Sequence, residues 1–368
     1  MRKTIPIILA LLVFLLVASC DDLKEQSGET VHLRSGGDDF AYPYFLVIGG
    51  GLSETLSVLR IDEGPTFELF NDVAQTGASI NDTVLHENKL YAVCSLSNSV
   101  VLHDTYDLAA IDEFSIGSGK NPMNLAFVDE SRGYIANLLG NSVSVFDFSG
   151  EGKLLADISI PSGQDGIWSR PTWCTTIDDR VYCALANLNQ HWAAGTNGAV
   201  TVIDPQNNTI ESIIAVQGRD TVAVVHQDNA PYAWVLSAGD FTTDQGYAGN
   251  GVVEKLDLGT GEITDIIETG GAPFELAVNE KGIAYLGNGL DGRILTFDTE
   301  TLETGEPVDL REGDKLSFIS ALAMDGHGLL YAAEFNSDHL VIIDTLNDNE
   351  IIAAFTVNDG PDTLTFVF

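Results

Sequence analysis

The chain has 368 residues, with 54 acidic against 17 basic side chains and a formal net charge of −37. So few Lys and Arg exclude a nucleic-acid partner, because phosphate binding needs them, and they argue against docking on an anionic surface. The carboxylates are spread along the whole sequence, which fits solubility in a salty medium, where screening limits self-repulsion; cation binding and steering of a cationic partner are the functional alternatives.

Residues 1–19 read as a signal peptide. Arg2 and Lys3 form a positive start, Ile5 to Val17 is apolar, and Val17-Ala18-Ser19 supplies the small residues of a cleavage site. Cys20 follows directly, and the pattern resembles the lipobox of bacterial lipoproteins. That resemblance implies diacylation of Cys20 and a protein held in the cell envelope, at an outer membrane or cell surface. The alternatives are an ordinary signal peptide or a membrane anchor, for which the apolar stretch is short. Two or three acyl chains hold a protein firmly, at roughly 0.8 kcal/mol per buried CH₂. Residues 20–41 then carry the lipidated Cys and a polar, acidic, Gly-containing stretch without periodicity, the composition of a tether.

From 42 to 368 a single pattern recurs. A β-rich run closes on an Asp at Asp62, Asp104, Asp147, Asp204, Asp257, Asp298 and Asp344, at steps of roughly 40–57 residues. A period of about 40–50 residues with four strands each is the signature of a β-propeller. The expected class is all-β, a seven-bladed β-propeller in one domain. The innermost strands are placed at Asn81–His86, Pro122–Phe127, Pro171–Thr176, Asp220–Val225, Pro273–Val278, Ile319–Met324 and Pro361–Phe366. A Tyr-rich second strand follows each, as at Lys89–Cys94 and Gly133–Asn137. The third strand ends at the repeated Asp, and the fourth follows it. Pro361 to Phe368 is an innermost strand with nothing after it, and Tyr44 to Val73 is a blade lacking one. The two ends therefore share a blade and close the ring, which leaves no open edge.

The segment Tyr134 to Asp147, Y-I-A-N-L-L-G-N-S-V-S-V-F-D, resembles the YVTN repeat, and residues 42–368 resemble YncE-like seven-bladed propellers. The likeness is sharpest between 122 and 160. It implies fold rather than chemistry.

Cys174 and Cys183 bracket a tight hairpin. With a two-residue turn at Asp178-Asp179 they oppose each other, where a cross-strand disulfide or two buried free thiols are equally good readings. Aligning the innermost strands on their Pro-equivalent position puts Thr83, Asn124, Trp173, Val222, Glu275, Ala321 and Thr363 in one ring at the channel mouth. Leu85, Ala126, Thr175, Val224, Ala277, Ala323 and Thr365 form a ring of mostly small residues below. Trp173 is either a plug or a ligand platform. Two long loops reach the same mouth from adjacent blades, Asn187–Gly198 with His191 and Trp192, and Gly239–Gly251 with Phe241 and Tyr247. Trp168, Arg170 and Arg219 lie beside them. Aromatics with sparse polar anchors are the usual make-up of a binding pocket, and loops on a rigid scaffold are where binding groups go. Packing of those loops on the rim would use the same residues.

Catalytic signals are poor. No metal-ligand, nucleophile-elbow or P-loop spacing exists, and no cofactor is predicted. Glu275, Asn124, Asp82 and Asp362 are the only set that could serve a lactonase- or hydrolase-like enzyme. The expected function is capture of a small-molecule ligand or an envelope protein at the loop face, without catalysis. A non-catalytic scaffold is the third reading. The lipobox, acidic tether and ring together resemble the cobalamin-capturing surface lipoproteins (BtuG type) of Bacteroidetes. That resemblance implies a corrinoid as the bound ligand and an outer-membrane transporter as the partner.

Overall fold

A computed structural model describes residues 40–242, 246–289, 292–311, 318–357 and 359–368. The signal peptide, Cys20 and nearly all of the tether lie outside the described residues. Among the described residues there is no helix, and seven four-stranded antiparallel sheets form the seven blades of a β-propeller.

The innermost strands are Ile80–His86, Pro122–Phe127, Pro171–Ile177, Thr221–His226, Glu275–Val278, Ile319–Met324 and Pro361–Val367. We number the blades 1 to 7 in that order. Blade 7 is the shared one. Its sheet runs from Thr66–Gln75 through Thr55–Asp62 and Tyr44–Gly50 to Pro361–Val367. The two ends of the chain are thereby paired residue by residue, Phe45 against Val367 and Ile48 against Leu364.

The repeated Asp ends the third strand in all seven blades. The reason is local. Its carboxylate accepts the amide two or three residues on: Tyr106 N on Asp104, Ser149 N on Asp147, Gln206 N on Asp204, Thr260 N on Asp257, Glu300 N on Asp298 and Leu346 N on Asp344. This Asx turn reverses the chain into the fourth strand. Blade 7 departs from it, since Asp62 pairs with Arg60 instead. These turns all lie at one end of the ring, the base. The loops entering the innermost strands, and those between second and third strands, lie at the other end, the mouth. There the side chains of Asn98, Asn141 and Asp338 accept the amides of Asn121, Arg170 and Gly360 from the neighbouring blade.

The core lies between blades. Tyr134, Ala136, Val143 and Val145 of blade 2 pack on Cys174, Val181, Cys183 and Ile203 of blade 3. Equivalent clusters fill the other seams.

The hairpin register deduced for blade 3 is the observed one. Ile177 opposes Arg180, and Cys174 opposes Cys183. Both cysteines are buried with free thiols. Burial pushes the Cys174 thiol well above its usual range. The propeller starts slightly before the expected boundary at 42. Phe40 packs edge-on against Tyr44, Phe366 and Phe368, with ring centroids 5.3, 5.0 and 4.7 Å away.

Candidate functional site at the mouth of the ring

Six of the seven innermost strands begin with a β-bulge. Pairing skips one residue after Ile80, Pro122, Pro171, Thr221, Ile319 and Pro361. A bulge inserts an unpaired residue and resets which side chains share a face. Counted from the bulge, the mouth ring is Asp82, Asn124, Trp173, Ala223, Glu275, Ala321 and Thr363. The ring below is Val84, Ala126, Thr175, Val225, Ala277, Ala323 and Thr365.

This corrects the sequence alignment in two blades. Alignment on the Pro-equivalent position sets Thr83, Leu85, Val222 and Val224 in the rings, each one residue out of register. Blades 1 and 4 have no Pro to mark the start of the strand, and the bulge itself is invisible in the apolar pattern. The shift is consequential, because it moves Asp82 into the same tier as Glu275.

A cavity of about 280 Å³ runs along the innermost strands of blades 1 to 3, from Asp82, Asn124 and Trp173 at the mouth tier past Val84, Ala126 and Thr175 to Phe127 and Thr176 toward the base. Trp173 thus forms part of a wall. Asn124 and Asp82 are fixed into the frame. The Asp82 carboxylate accepts the Asn124 side-chain amide at 2.9 Å and the Leu125 backbone amide at 3.1 Å. Asn124 Oδ1 in turn accepts the Cys174 backbone amide at 2.6 Å. On the other side, Thr83 Oγ1 lies 2.8 Å from Thr363 Oγ1, and Thr365 Oγ1 donates to the Thr83 carbonyl. These bonds tie neighbouring innermost strands together and satisfy backbone groups that the axis leaves without a fifth strand.

Three carboxyl groups share this mouth. Burial pushes Asp82 up to about 7, against hydrogen bonds from the Leu125 amide, the Asn124 side chain and the Thr83 amide that pull it down. Burial pushes Asp362 up to about 7 as well. Glu275 is raised well above the carboxylate range by burial first and then by the charges of Asp82 and Asp362. Glu275 and Asp362 keep some exposure because the channel is open, yet protein surrounds them, and ionisation loses the hydration of bulk water. Among the described residues no Lys or Arg pairs with any of the three. Also among the described residues, no three His, Cys, Asp or Glu side chains converge closely enough to hold a metal ion.

The loop residues singled out in the sequence gather into two clusters. In the first, Trp168 is held by a two-residue strand, Ile167–Trp168, paired with Leu188–Asn189. The Arg170 guanidinium stands 5.3 Å from the Trp168 ring centroid and 4.5 Å from that of Trp192. Its Nη1 donates to the Leu138 carbonyl of blade 2 at 3.3 Å. Arg170 is 9% exposed. It is therefore a clamp between loops rather than the polar anchor for a ligand that the sequence suggested. Its Nε is buried without a partner. Trp192 packs on Ala186, Leu188 and Ala194, while His191 is exposed beside Gln190.

In the second cluster, Phe241 contacts Tyr247 at 5.1 Å. Tyr247 continues to Phe274, Phe274 to Phe318, and Phe318 to Phe335, at 5.5, 5.1 and 6.4 Å. This aromatic arc crosses blades 4, 5 and 6. The sequence has no shared signal for Phe274, in the loop entering the innermost strand of blade 5, or for Phe318 and Phe335, in two different loops of blade 6. Tyr247 Oη donates to Asp220 at 3.3 Å, and burial pushes Asp220 up to about 7. Arg219 links the clusters, donating to the Ala194 carbonyl and pairing with Asp240 at 3.1 Å.

No family model and no curated protein matches the chain. Many solved structures share its fold. One is a protein from Lactobacillus plantarum, at 15% identity and a TM-score of 0.71, covering 89% of this chain and 100% of that one. Another is a candidate 6-phosphogluconolactonase from Bacteroides fragilis, at 14% identity and a TM-score of 0.67, covering 89% and 98%. A third is the dihydro-heme d1 dehydrogenase NirN, at 16% identity and a TM-score of 0.57, covering 90% and 77%. At such identities the likeness is one of fold.

Proposed function

We propose that this protein is a lipid-anchored, envelope-facing propeller that binds a ligand at its mouth without catalysis. The observation that carries this reading is the cavity walled by Trp173, Asn124, Asp82 and Thr175. It is a concave site with an aromatic face and a few fixed polar groups, the make-up of small-molecule sites. Asp82 is the one acidic side chain in its wall, and no Lys or Arg lines it. A neutral or cationic ligand suits the mouth, and a phosphorylated one does not. A corrinoid far exceeds the cavity. In the finer version of this reading it lies across the aromatic rim of Trp192, Phe241, Tyr247 and Phe274, and passes from there to an outer-membrane transporter. The YncE-like resemblance of the repeat and the lipobox at Cys20 support this version.

A second reading is a lactonase- or hydrolase-like enzyme. Glu275 supports it, because burial and the neighbouring Asp82 and Asp362 make its carboxyl hold a proton above the ordinary carboxylate range, as a general acid requires.

The experiment is a thermal-shift screen of the chain from residue 20 against cobalamins, haem, siderophores, oligosaccharides, amines, lactones and Ca²⁺. A ligand at 1,000 times its Kd adds about 4 kcal/mol of stability. A shift lost in Trp173→Ala places the ligand in the cavity, and one lost in Trp192→Ala with Phe241→Ala places it on the rim. Turnover of a lactone that Glu275→Gln abolishes would replace binding with catalysis. No shift by any compound would overturn the small-molecule reading and leave a protein partner or scaffold.

A further inference from the structure

Both ends of the described chain leave the ring at its base. The innermost strand of blade 7 runs from Pro361 at the mouth to Val367 at the base, and its neighbour runs the opposite way from Tyr44. The route into Tyr44 is pinned. Tyr42 stacks on His327 with centroids 4.6 Å apart and planes 11° apart. His327 Nε2 donates to the Phe40 carbonyl at 2.8 Å. Phe40 itself is wedged among Tyr44, Phe366 and Phe368. Beneath them Asp325 accepts four bonds, from Tyr44 Oη, Tyr331 Oη and the amides of His327 and Leu329. The exit point is thus part of the packed core rather than a loose end.

Resting on the lipid-anchor reading above, we propose that the propeller is carried base-down, with its mouth turned away from the bilayer that holds Cys20. The cavity, the Trp168–Arg170–Trp192 clamp and the aromatic arc are then presented to the medium. The surface fits a soluble small-molecule ligand arriving from the medium. Twenty residue steps separate Cys20 from Phe40, and a chain of that length spans at most roughly 70 Å. That reach covers the roughly 20 Å of strand between base and mouth, so the exit point decides the pose: a mouth-down pose needs the tether to run up the side of the ring from a fixed point at the base. Base-down requires no such path. The inference bears on transfer to a transporter, since a direct hand-over within one membrane needs the mouth-down pose.

The test uses intrinsic fluorescence on vesicles doped with a headgroup-attached doxyl quencher. Native emission comes from Trp168, Trp173 and Trp192 at the mouth and from buried Trp234. Tyr106, 52% exposed in a base turn, is replaced by Trp as a base reporter. The protein is extracted from its membrane and reconstituted, and acylation of Cys20 is read separately by mass. If acylation is absent, the anchor reading fails on its own. The pose is then measured on chain from residue 20 with Cys20 coupled to a lipid maleimide, which is selective because Cys94, Cys174 and Cys183 are buried. The expected result is that the added emission of Tyr106→Trp falls by at least half while native emission does not change. Quenching of native emission, equal quenching of both, or quenching of neither overturns the proposal.

Discussion

The base and the mouth of the ring are built from the same residue type used in opposite ways. At the base, Asp147, Asp204, Asp257 and Asp298 are held below the usual carboxylate range, chiefly by turn amides that donate to the ionised form. At the mouth, Asp82, Asp220 and Asp362 are pushed up to about 7, chiefly by burial. A carboxylate that closes a turn gains from its charge and stabilises the fold. A carboxyl enclosed in a channel without a cation costs stability when it ionises. Groups kept in that condition are the ones to suspect of function.

The largest expected effect tests the base and its closure. Deleting residues 361–368 removes the innermost strand of blade 7, together with Phe366 and Phe368 from the aromatic cluster. A net stability of about 5–15 kcal/mol does not survive the opening of the ring, so no cooperative melting transition should remain. A truncated protein that melts like the intact one would refute closure by the shared blade.

Asp325→Ala should come next. It leaves two buried hydroxyls and two amides without their acceptor, at a cost of roughly 3 kcal/mol or more. Denaturant unfolding should show a lower midpoint with an unchanged slope.

The pH profile compares the two ends directly. Unfolded Asp titrates near about 3.9. Between about pH 4 and 7 the folded mouth carboxyls keep protons that the unfolded chain has released, so stability falls as pH rises through that window. The base carboxylates act the other way, and their contribution is lost as pH falls below about 4. The melting temperature should therefore rise by several degrees on acidification from pH 8 to about 5 and fall at lower pH. Glu275→Gln with Asp362→Asn should make the upper limb shallower, leaving the share of Asp82 and Asp220, and spare the lower one. An upper limb unchanged in that variant would remove Glu275 and Asp362 as its cause.

Arg170→Ala gives the smallest effect on stability. Cation–π contacts of this kind contribute about 0.5–2 kcal/mol. The readout is local, with faster amide exchange in residues 187–198 and unchanged exchange in the blade strands. Uniform protection in the variant would show that the Trp168–Trp192 sandwich does not hold the loop.

What the sequence alone determined is what short-range chemistry controls. The Asp that closes each third strand, the two-residue turn at Asp178-Asp179 and strand alternation made the blades, their seven-fold count, the shared closure and the Cys174–Cys183 register legible. Each depends on residues a few positions apart. The tertiary structure decided the rest. The bulges that bring Asp82 level with Glu275 depend on how crowded strands meet at an axis. Arg170 looked free for a ligand until two indoles and the Leu138 carbonyl of another blade closed around it. Phe274 joined Phe318 and Phe335 in one surface only because a closed ring sets the mouth loops of blades 5 and 6 side by side. Long-range placement of this kind leaves no trace in local spacing, and at the mouth it decides both charge and shape.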